Sequence, residues 1–533
     1  MTIRRPQPTA HPRLAGTTME RLPSLSRRLL MGAGAAGLVL PRFARAQSAS
    51  NGPGDAINVS GAHNAPIPIA LPSFTDASGN TSDLGAQITQ VVTSDLDHCG
   101  LFRAIDQTSF VPNSVVNSIP VWNNWSILGA QALVTGQVTN QGGGQIRVEY
   151  RLWGISQQKQ LQGTAYTTAS NNWRRIAHII ADDIYQQMIG EKGYFDTRVA
   201  FISVAGRPTD PIRRMAVMDY DGANVRFLTS GRNMALSPQF NPSRQQLAFA
   251  SFENGQPQVY LFDLQTGART NIGSFGEMSF GPRFSPDGSA LLFSVSKGGG
   301  AMIVKYELGS RRMTQLTDAN SINVTPCYSP DGTKIVFNSD RDGPGDQQLF
   351  VMNADGTNIQ RISYGHARYA EPVWSPRGDM IAFTRLDAGG FGIGVMKPDG
   401  SGERLLSQGY LEEAATFCPN GRVIMFYRQN PLKIGNVSHL VTIGVDGFNE
   451  RITPTPTNAE DPSWGRCSPE PLPAAWDDVP VINRIKQFPA RVDRELPECP
   501  ASEIRWISEA GHEVKLRARY QEDAPAIGIG IRR

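Results

Sequence analysis

The apolar and polar positions of this chain follow two different rhythms on either side of about residue 193. In the first region, Ile146-Arg-Val-Glu-Tyr-Arg-Leu-Trp153 alternates apolar with polar side chains, the period of a half-buried strand, and residues 159–167 are placed to pair with it as a hairpin. Ile67-Pro-Ile-Ala-Leu71, residues 102–105 and residues 133–138 read as further strands. Over 83–96, Leu84, Ile88, Val91 and Val92 fall on one helical face, and over 173–188 Ile176, Ile180, Ile184 and Met188 do the same. The expectation is an α/β domain over 67–192, ending in a short linker at 190–194.

Beyond residue 193 the apolar runs shorten to four or five residues, separated by turn chemistry, and they repeat. Pro238-Gln-Phe240-Asn-Pro242, Pro282-Arg-Phe284-Ser-Pro286-Asp287-Gly288, Pro326-Cys-Tyr328-Ser-Pro330-Asp331-Gly332, Pro372-Val-Trp374-Ser-Pro376-Arg-Gly378 and Ala415-Thr-Phe417-Cys-Pro419-Asn420-Gly421 align. A shortened sixth copy is Asp461-Pro462-Ser463-Trp464-Gly465. The aromatic positions recur every 43 to 47 residues, the length of one four-stranded propeller blade. Asp-Gly pairs at 221–222, 355–356, 399–400 and 446–447 suit tight hairpins, because both residues tolerate positive φ.

Six aromatics predict a six-bladed β-propeller over 193–466. The first unit, from Arg198, lacks a Pro-x-aromatic strand, and the surplus strand at 461–464 would complete it. Such a clamp leaves no exposed sheet edge. The aromatic is expected to fill the space between blades and Pro-Asp-Gly to close the turn into the next strand.

The net charge of +3 changes meaning once it is located. Residues 1–46 hold eight Arg, no Lys and one Glu, so the remainder carries 43 basic against 47 acidic residues and no nucleic-acid footprint. Within them, paired Arg27-Arg28, a Gly/Ala-rich apolar run from Gly32 to Leu40 and Ala44-Arg45-Ala46 have the order of a signal peptide, twin-arginine-like, cleaved between Ala46 and Gln47. Residues 47–66 then form an extended mature N-terminal segment. After Gly465 the repeat stops. Residues 467–533 contain 10 basic and 11 acidic residues with no clear period, and read as an atypical tail, poorly ordered or the product of a shifted frame.

Together with the repeats, Pro68-Ile-Ala-Leu-Pro-Ser-Phe74, Ser94-Asp-Leu-Asp-His-Cys-Gly-Leu-Phe102, Ala132-Leu-Val-Thr-Gly136, Glu149-Tyr-Arg-Leu-Trp153, Gly190-Glu-Lys-Gly-Tyr-Phe195, Met218-Asp-Tyr-Asp-Gly-Ala-Asn224 and Gly394-Val-Met-Lys-Pro-Asp-Gly400 resemble the TolB family, the soluble periplasmic component of the Tol-Pal envelope system. The likeness spans about residues 57–465. The twin-arginine-like signal and the tail depart from the family pattern. The resemblance implies a monomeric, non-enzymatic periplasmic scaffold that binds the peptidoglycan-associated lipoprotein Pal through its propeller and TolA through its mature N-terminus. It also implies roles in outer-membrane integrity and in constriction at division, with other envelope proteins as further partners. The TolA segment would contain Ile57, Asn58 and Val59, whose alternation suits an extended strand that docks on a partner or packs back on the protein itself.

Loops that precede each Pro-x-aromatic motif should converge around one end of the channel. They nominate a propeller mouth of Arg232, Glu277, Met278, Asn320, Asn323, His366, Arg368, Tyr369, Glu412, Glu413, Asn458 and Glu460, with Asn233 and Tyr410 beside them. The alternative is a periplasmic propeller enzyme, lactonase-like or peptidase-associated. Its axial metal would need Glu277, His366, Glu412 and Glu460 to converge on the channel. A peptidase would also need a Gly-x-Ser-x-Gly elbow, and the tail has none. The seven His show no ligand spacing, so no catalytic, cofactor or metal residue is assigned. The five Cys show no C-x-x-C spacing. Cys99, Cys327 and Cys418 read as buried thiols, and only Cys467 and Cys499 could pair.

Overall fold

A computed structural model of the chain describes residues 65–110, 116, 118–207, 209–343, 345–431 and 436–466, and the backbone of 504–507 and 513–516. The signal with its Ala46–Gln47 junction, the segment holding Ile57, Asn58 and Val59, the Cys467–Cys499 pairing and most of the tail lie outside the described residues. Within the tail, Ile504–Ile507 and Glu513–Leu516 form a two-stranded antiparallel ladder. That corrects the reading of no strand period: Glu513-Val-Lys-Leu516 does alternate, but over four residues, too few to stand out.

The first region folds as β1 (Ile67–Ala70), α1 (Asp83–His98), β2 (Phe102–Ala104), α2 (Trp122–Ser126), β3 (Ala132–Gly142), β4 (Gln145–Gly154), β5 (Lys159–Ala169) and α3 (Trp173–Ile189). The sheet order is β2-β1-β3-β4-β5, with β1 parallel to both neighbours and β3 to β5 an antiparallel meander. Ser82 caps α1, its Oγ accepting from the Gly85 N–H at 3.0 Å, and α3 stops at Gly190 in the left-handed region (φ 83°). The predicted apolar faces are those used: Ile88, Val92, Ile176, Ile180 and Ile184 are buried against the sheet. Helix α2 was not predicted, since five residues show no period; its Trp125 packs with Leu133 and Trp153 on the other side of the sheet.

Six four-stranded antiparallel sheets make the propeller. Their inner strands are Ala235–Phe240, Met278–Phe284, Asn323–Tyr328, Arg368–Trp374, Leu411–Phe417 and Asn458–Arg466. The last of these pairs with Thr197–Arg207, Trp464 lying opposite Val199, so one blade is built from both ends of the array as expected. The repeat aromatics sit between blades: Tyr328 packs with Leu292 and Ile303 of the preceding blade and Ile335 of its own.

The turns follow the chemistry of their motifs. In Ser285-Pro-Asp287-Gly288 the Asp287 carboxylate accepts from Ser285 Oγ at 2.5 Å and from the Ser289 N–H at 3.1 Å, and Gly288 takes φ 72°. Asp331 repeats the pattern, and Asn420 does so with Cys418 Sγ as donor. Cys99, Cys327 and Cys418 are free thiols whose pKa is raised by burial.

Residues 190–194 differ from a solvated linker. Tyr194 and the adjacent Phe195 are buried, and one hydrophobic core runs from the α1/α3 layer through them to Tyr220 and Trp464 of the closing blade. The aromatic end of the linker supplies the apolar surface that the Gly-Glu-Lys-Gly spelling conceals.

Candidate functional site

Each inner strand carries one irregularity, and together these line the channel. The ladder slips at Ser237, Gly281, Thr325, Glu371, Ala414 and Asp461, all in the left-handed region with φ of 49–61°. Five of the six are not glycine, and a non-glycine residue held there costs on the order of 1–3 kcal/mol. Neighbours offset part of that cost: Asp461 accepts from the Ser237 N–H at 3.0 Å, and Glu371 from the Ala414 N–H at 2.6 Å. The six residues surround a narrow axial pocket. Sequence reasoning missed them, although in five repeats the residue sits directly before the motif proline, where helical conformations are disfavoured.

At the end of the channel where the inner strands begin, the nominated residues fall into two groups. Arg232, Asn233, Glu277, Asn320, His366, Arg368 and Tyr410 are exposed, and Met278 and Asn458 are half-buried. Asn323, Tyr369, Glu412, Glu413 and Glu460 are buried, so their assignment as contact residues is corrected. All five lie on strands rather than at loop tips, and each is held from inside. Asn323 Oδ1 accepts from Ser339 Oγ (2.8 Å) and Arg341 (2.7 Å), and Tyr369 Oη donates to Glu403 (2.9 Å). Glu412 accepts from Arg428 Nε (2.6 Å), Glu413 from Tyr427 Oη (2.5 Å), and Glu460 pairs with Arg213. Burial raises the Glu412 carboxyl against the pull of Arg428. Glu277, His366, Glu412 and Glu460 form no group of three or more with ligand atoms in metal-binding reach among the described residues.

The opposite face, made by the Pro-Asp-Gly and Asp-Gly turns, carries the N-terminal domain. Asn420 Nδ2 donates to the Lys192 carbonyl at 2.9 Å, Glu191 pairs with Arg377 and Arg422, and Asn449 donates to the His98 carbonyl. Arg174 of α3 pairs with Asp221 in the first blade's Asp-Gly turn. A cavity of about 950 Å³ opens there, lined by His98, Leu101, Tyr185, Phe448 and Ile452, with Ala65 and Pro66 at its wall.

Beside this cavity lies a polar cluster that no sequence pattern announced, its members coming from three distant segments. Asp95 of α1 is fully buried and accepts from Tyr220 Oη at 2.6 Å; His178 Nδ1 of α3 lies 2.6 Å from its other oxygen. His178 Nε2 faces Asp221 at 4.0 Å. Asp95, His178 and Asp221 present atoms within 4.8 Å of one another. One imidazole cannot turn both nitrogens to a single ion, and Arg174 already neutralises Asp221, so the group is an ion-pair cluster. Burial would lower the imidazole, but the charge and hydrogen bond of Asp95, with Asp221 and Asp219 behind them, lift its pKa to about 9.

Residues 185–468 match the family model of the TolB beta propeller domain, and residues 55–161 that of the TolB amino-terminal domain. A curated relative, the Tol-Pal system protein TolB of Gluconobacter oxydans (strain 621H), is 50% identical over 459 residues, covering 85% of this chain and 98% of that protein. The crystal structure of TolB from Acinetobacter baumannii superposes with a TM-score of 0.66 at 26% identity, covering 76% of this chain and 98% of that one. With both domain types matched in order and half of the aligned residues identical, the chain belongs to the TolB family of Tol-Pal system proteins.

Proposed function

We propose that this member of the Tol-Pal system is a non-enzymatic periplasmic scaffold that binds the lipoprotein Pal at the propeller mouth and TolA through the mature N-terminal segment around Ile57, Asn58 and Val59. Its output is outer-membrane integrity and constriction at division. The observation that carries the reading is the division of the propeller into two ends. The N-terminal domain packs on the turn-bearing face, while the other presents Arg232, Glu277, Asn320, His366, Arg368 and Tyr410 around the channel. Mixed charge with Tyr and Met suits a protein partner. Two channel carboxylates, Glu371 and Asp461, are occupied with backbone N–H groups, which favours a scaffold over a metal-dependent enzyme. Ala65 and Pro66 stand at the wall of the cavity on the turn-bearing face, where Phe448 and Ile452 offer exposed apolar surface.

The test is capture from envelope extract by the mature chain from Gln47, with Arg368→Glu and a deletion of residues 47–59 beside it. Arg368→Glu is expected to slow Pal association about threefold to tenfold and to alter its salt dependence, because exposed charges act on encounter. The deletion is expected to lower TolA recovery and leave Pal capture intact. Unchanged Pal kinetics in Arg368→Glu would move the Pal site away from this mouth, and unchanged TolA recovery would remove the N-terminal assignment.

A further inference from the structure

Most contacts between the N-terminal domain and the propeller are indifferent to pH near neutrality. Tyr194, Phe195, Tyr220 and Trp464 pack as apolar rings, Trp464 stacked on Tyr220 at 6.3 Å, and Glu191 pairs with two arginines. His178 is different. It is 2% exposed, it lies between carboxylates of two domains, and its Nε2 has no hydrogen-bond partner among the described residues.

The groups facing it make a charge account. From α1, Asp95 takes Nδ1, and His98 stands on the cavity wall. From the first-blade turn come Asp219, Tyr220 and Asp221, with Tyr220 already donating to Asp95. On α3 itself, Arg174 holds Asp221, and Asp182, one turn further on, accepts from the Phe195 and Asp196 N–H groups at 2.8 and 3.0 Å. Arg198, which follows the linker, acts on Asp219. Asp95, Asp219 and Asp221 thus face two guanidinium groups, and a charged His178 balances them.

Geometry agrees with the charge account. With Nδ1–H committed to Asp95, a neutral ring would aim its Nε2 lone pair at the Asp221 carboxylate, whereas a protonated ring aims an N–H at it. A neutral ring would also leave Asp95 buried with no cation beside it.

We propose that His178 is a charge latch: as an imidazolium it ties helices α1 and α3 to the first-blade turn at Asp219–Asp221, and loss of its proton loosens that tie, leaving the Tyr220–Asp95 hydrogen bond and the Arg174–Asp221 pair to hold the turn. A group whose pKa is raised on folding contributes stability that is complete below its unfolded value of 6.5 and is lost as pH rises through about 9. The latch is therefore closed at neutral pH and opens on the alkaline side.

The test uses the full mature chain labelled with ¹⁵N-histidine, the His178 signals being those lost in His178→Gln. The ring is expected to stay protonated at pH 8 while exposed histidines have titrated, and Asp221→Asn to lower its midpoint by about one unit, a tenfold change in proton affinity. Tryptic cutting after Lys192, normalised to an unfolded reporter peptide, is expected to rise about tenfold from pH 7 to pH 10 in the unsubstituted chain. In His178→Gln it should be fast at both. A neutral ring at pH 7.5 would overturn the proposal, as would an unchanged midpoint in Asp221→Asn, which would confine the pairing to the N-terminal domain. Stoichiometric zinc uptake abolished by His178→Gln would replace the latch with a metal site. Should His178→Gln fail to fold, the His178 ring is assigned by through-bond NMR correlations and the Asp221→Asn midpoint decides alone.

Discussion

Gly400 is required twice over. Its φ of 84° is one that side-chain-bearing residues rarely adopt, and a Cβ there would lie 2.0 Å from the Ile362 carbonyl oxygen of the preceding blade. Gly222 and Gly356 repeat the arrangement against Pro454 and Leu316. Gly400→Ala is therefore expected to destabilise by about 1–3 kcal/mol, read as a lower urea midpoint. Gly309→Ala, with open space around it and no positive φ, should move it by less than about 0.5 kcal/mol. The Asp-Gly spelling announces the backbone requirement but not the approach of a neighbouring blade, which depends on a residue 38 or 40 positions away for Gly400 and Gly356 and on one at the far end of the array for Gly222. Glu412 and Glu460 show the converse. Their charge reads as surface, yet each is buried on a strand because an arginine reaches it, Arg428 from the adjacent strand and Arg213 from the next strand but one.

At the scale of elements, the Ser-Pro-Asp-Gly turn ties acid stability to local hydrogen bonding. The Ser285 hydroxyl and the Ser289 hydroxyl and N–H hold the Asp287 carboxyl down at about 2. A depressed carboxylate contributes stability that is present above its unfolded value of 3.8 and is lost as pH falls through about 2. Asp287 is exposed, so solvent screening limits the effect to ~0.5 kcal/mol or less. Asp287→Asn together with Asp331→Asn should flatten the melting temperature between pH 4 and pH 2, measured by calorimetry. Such turns, the alternation in β4 and the apolar faces of α1 and α3 were legible because each is a local pattern. Helix α2, the six channel-lining bulges and the Asp95–His178–Asp221 cluster were not. A five-residue helix has no period, a bulge shifts register without altering composition, and the cluster joins positions 43 to 126 residues apart.

For the molecule as a whole, ring closure rests on one ladder between Asn458–Arg466 and Thr197–Arg207, anchored by Trp464 Nε1 donating to Thr197 Oγ1 at 2.8 Å. A chain ending at residue 457 should keep the α/β domain but expose the edge of Thr197–Arg207. Self-association in sedimentation velocity is the expected outcome, and a stable monomer would show that five complete blades suffice. The same ladder also sets a schedule. A ribosome adding about 5–20 residues per second leaves the 197–207 strand waiting roughly 12–50 s for the residues that cover it, and during that interval the nascent chain carries an open β-edge. The vulnerable form of this protein is thus the nearly finished polypeptide, and a chaperone that shields one bare strand would protect it through the last stretch of synthesis.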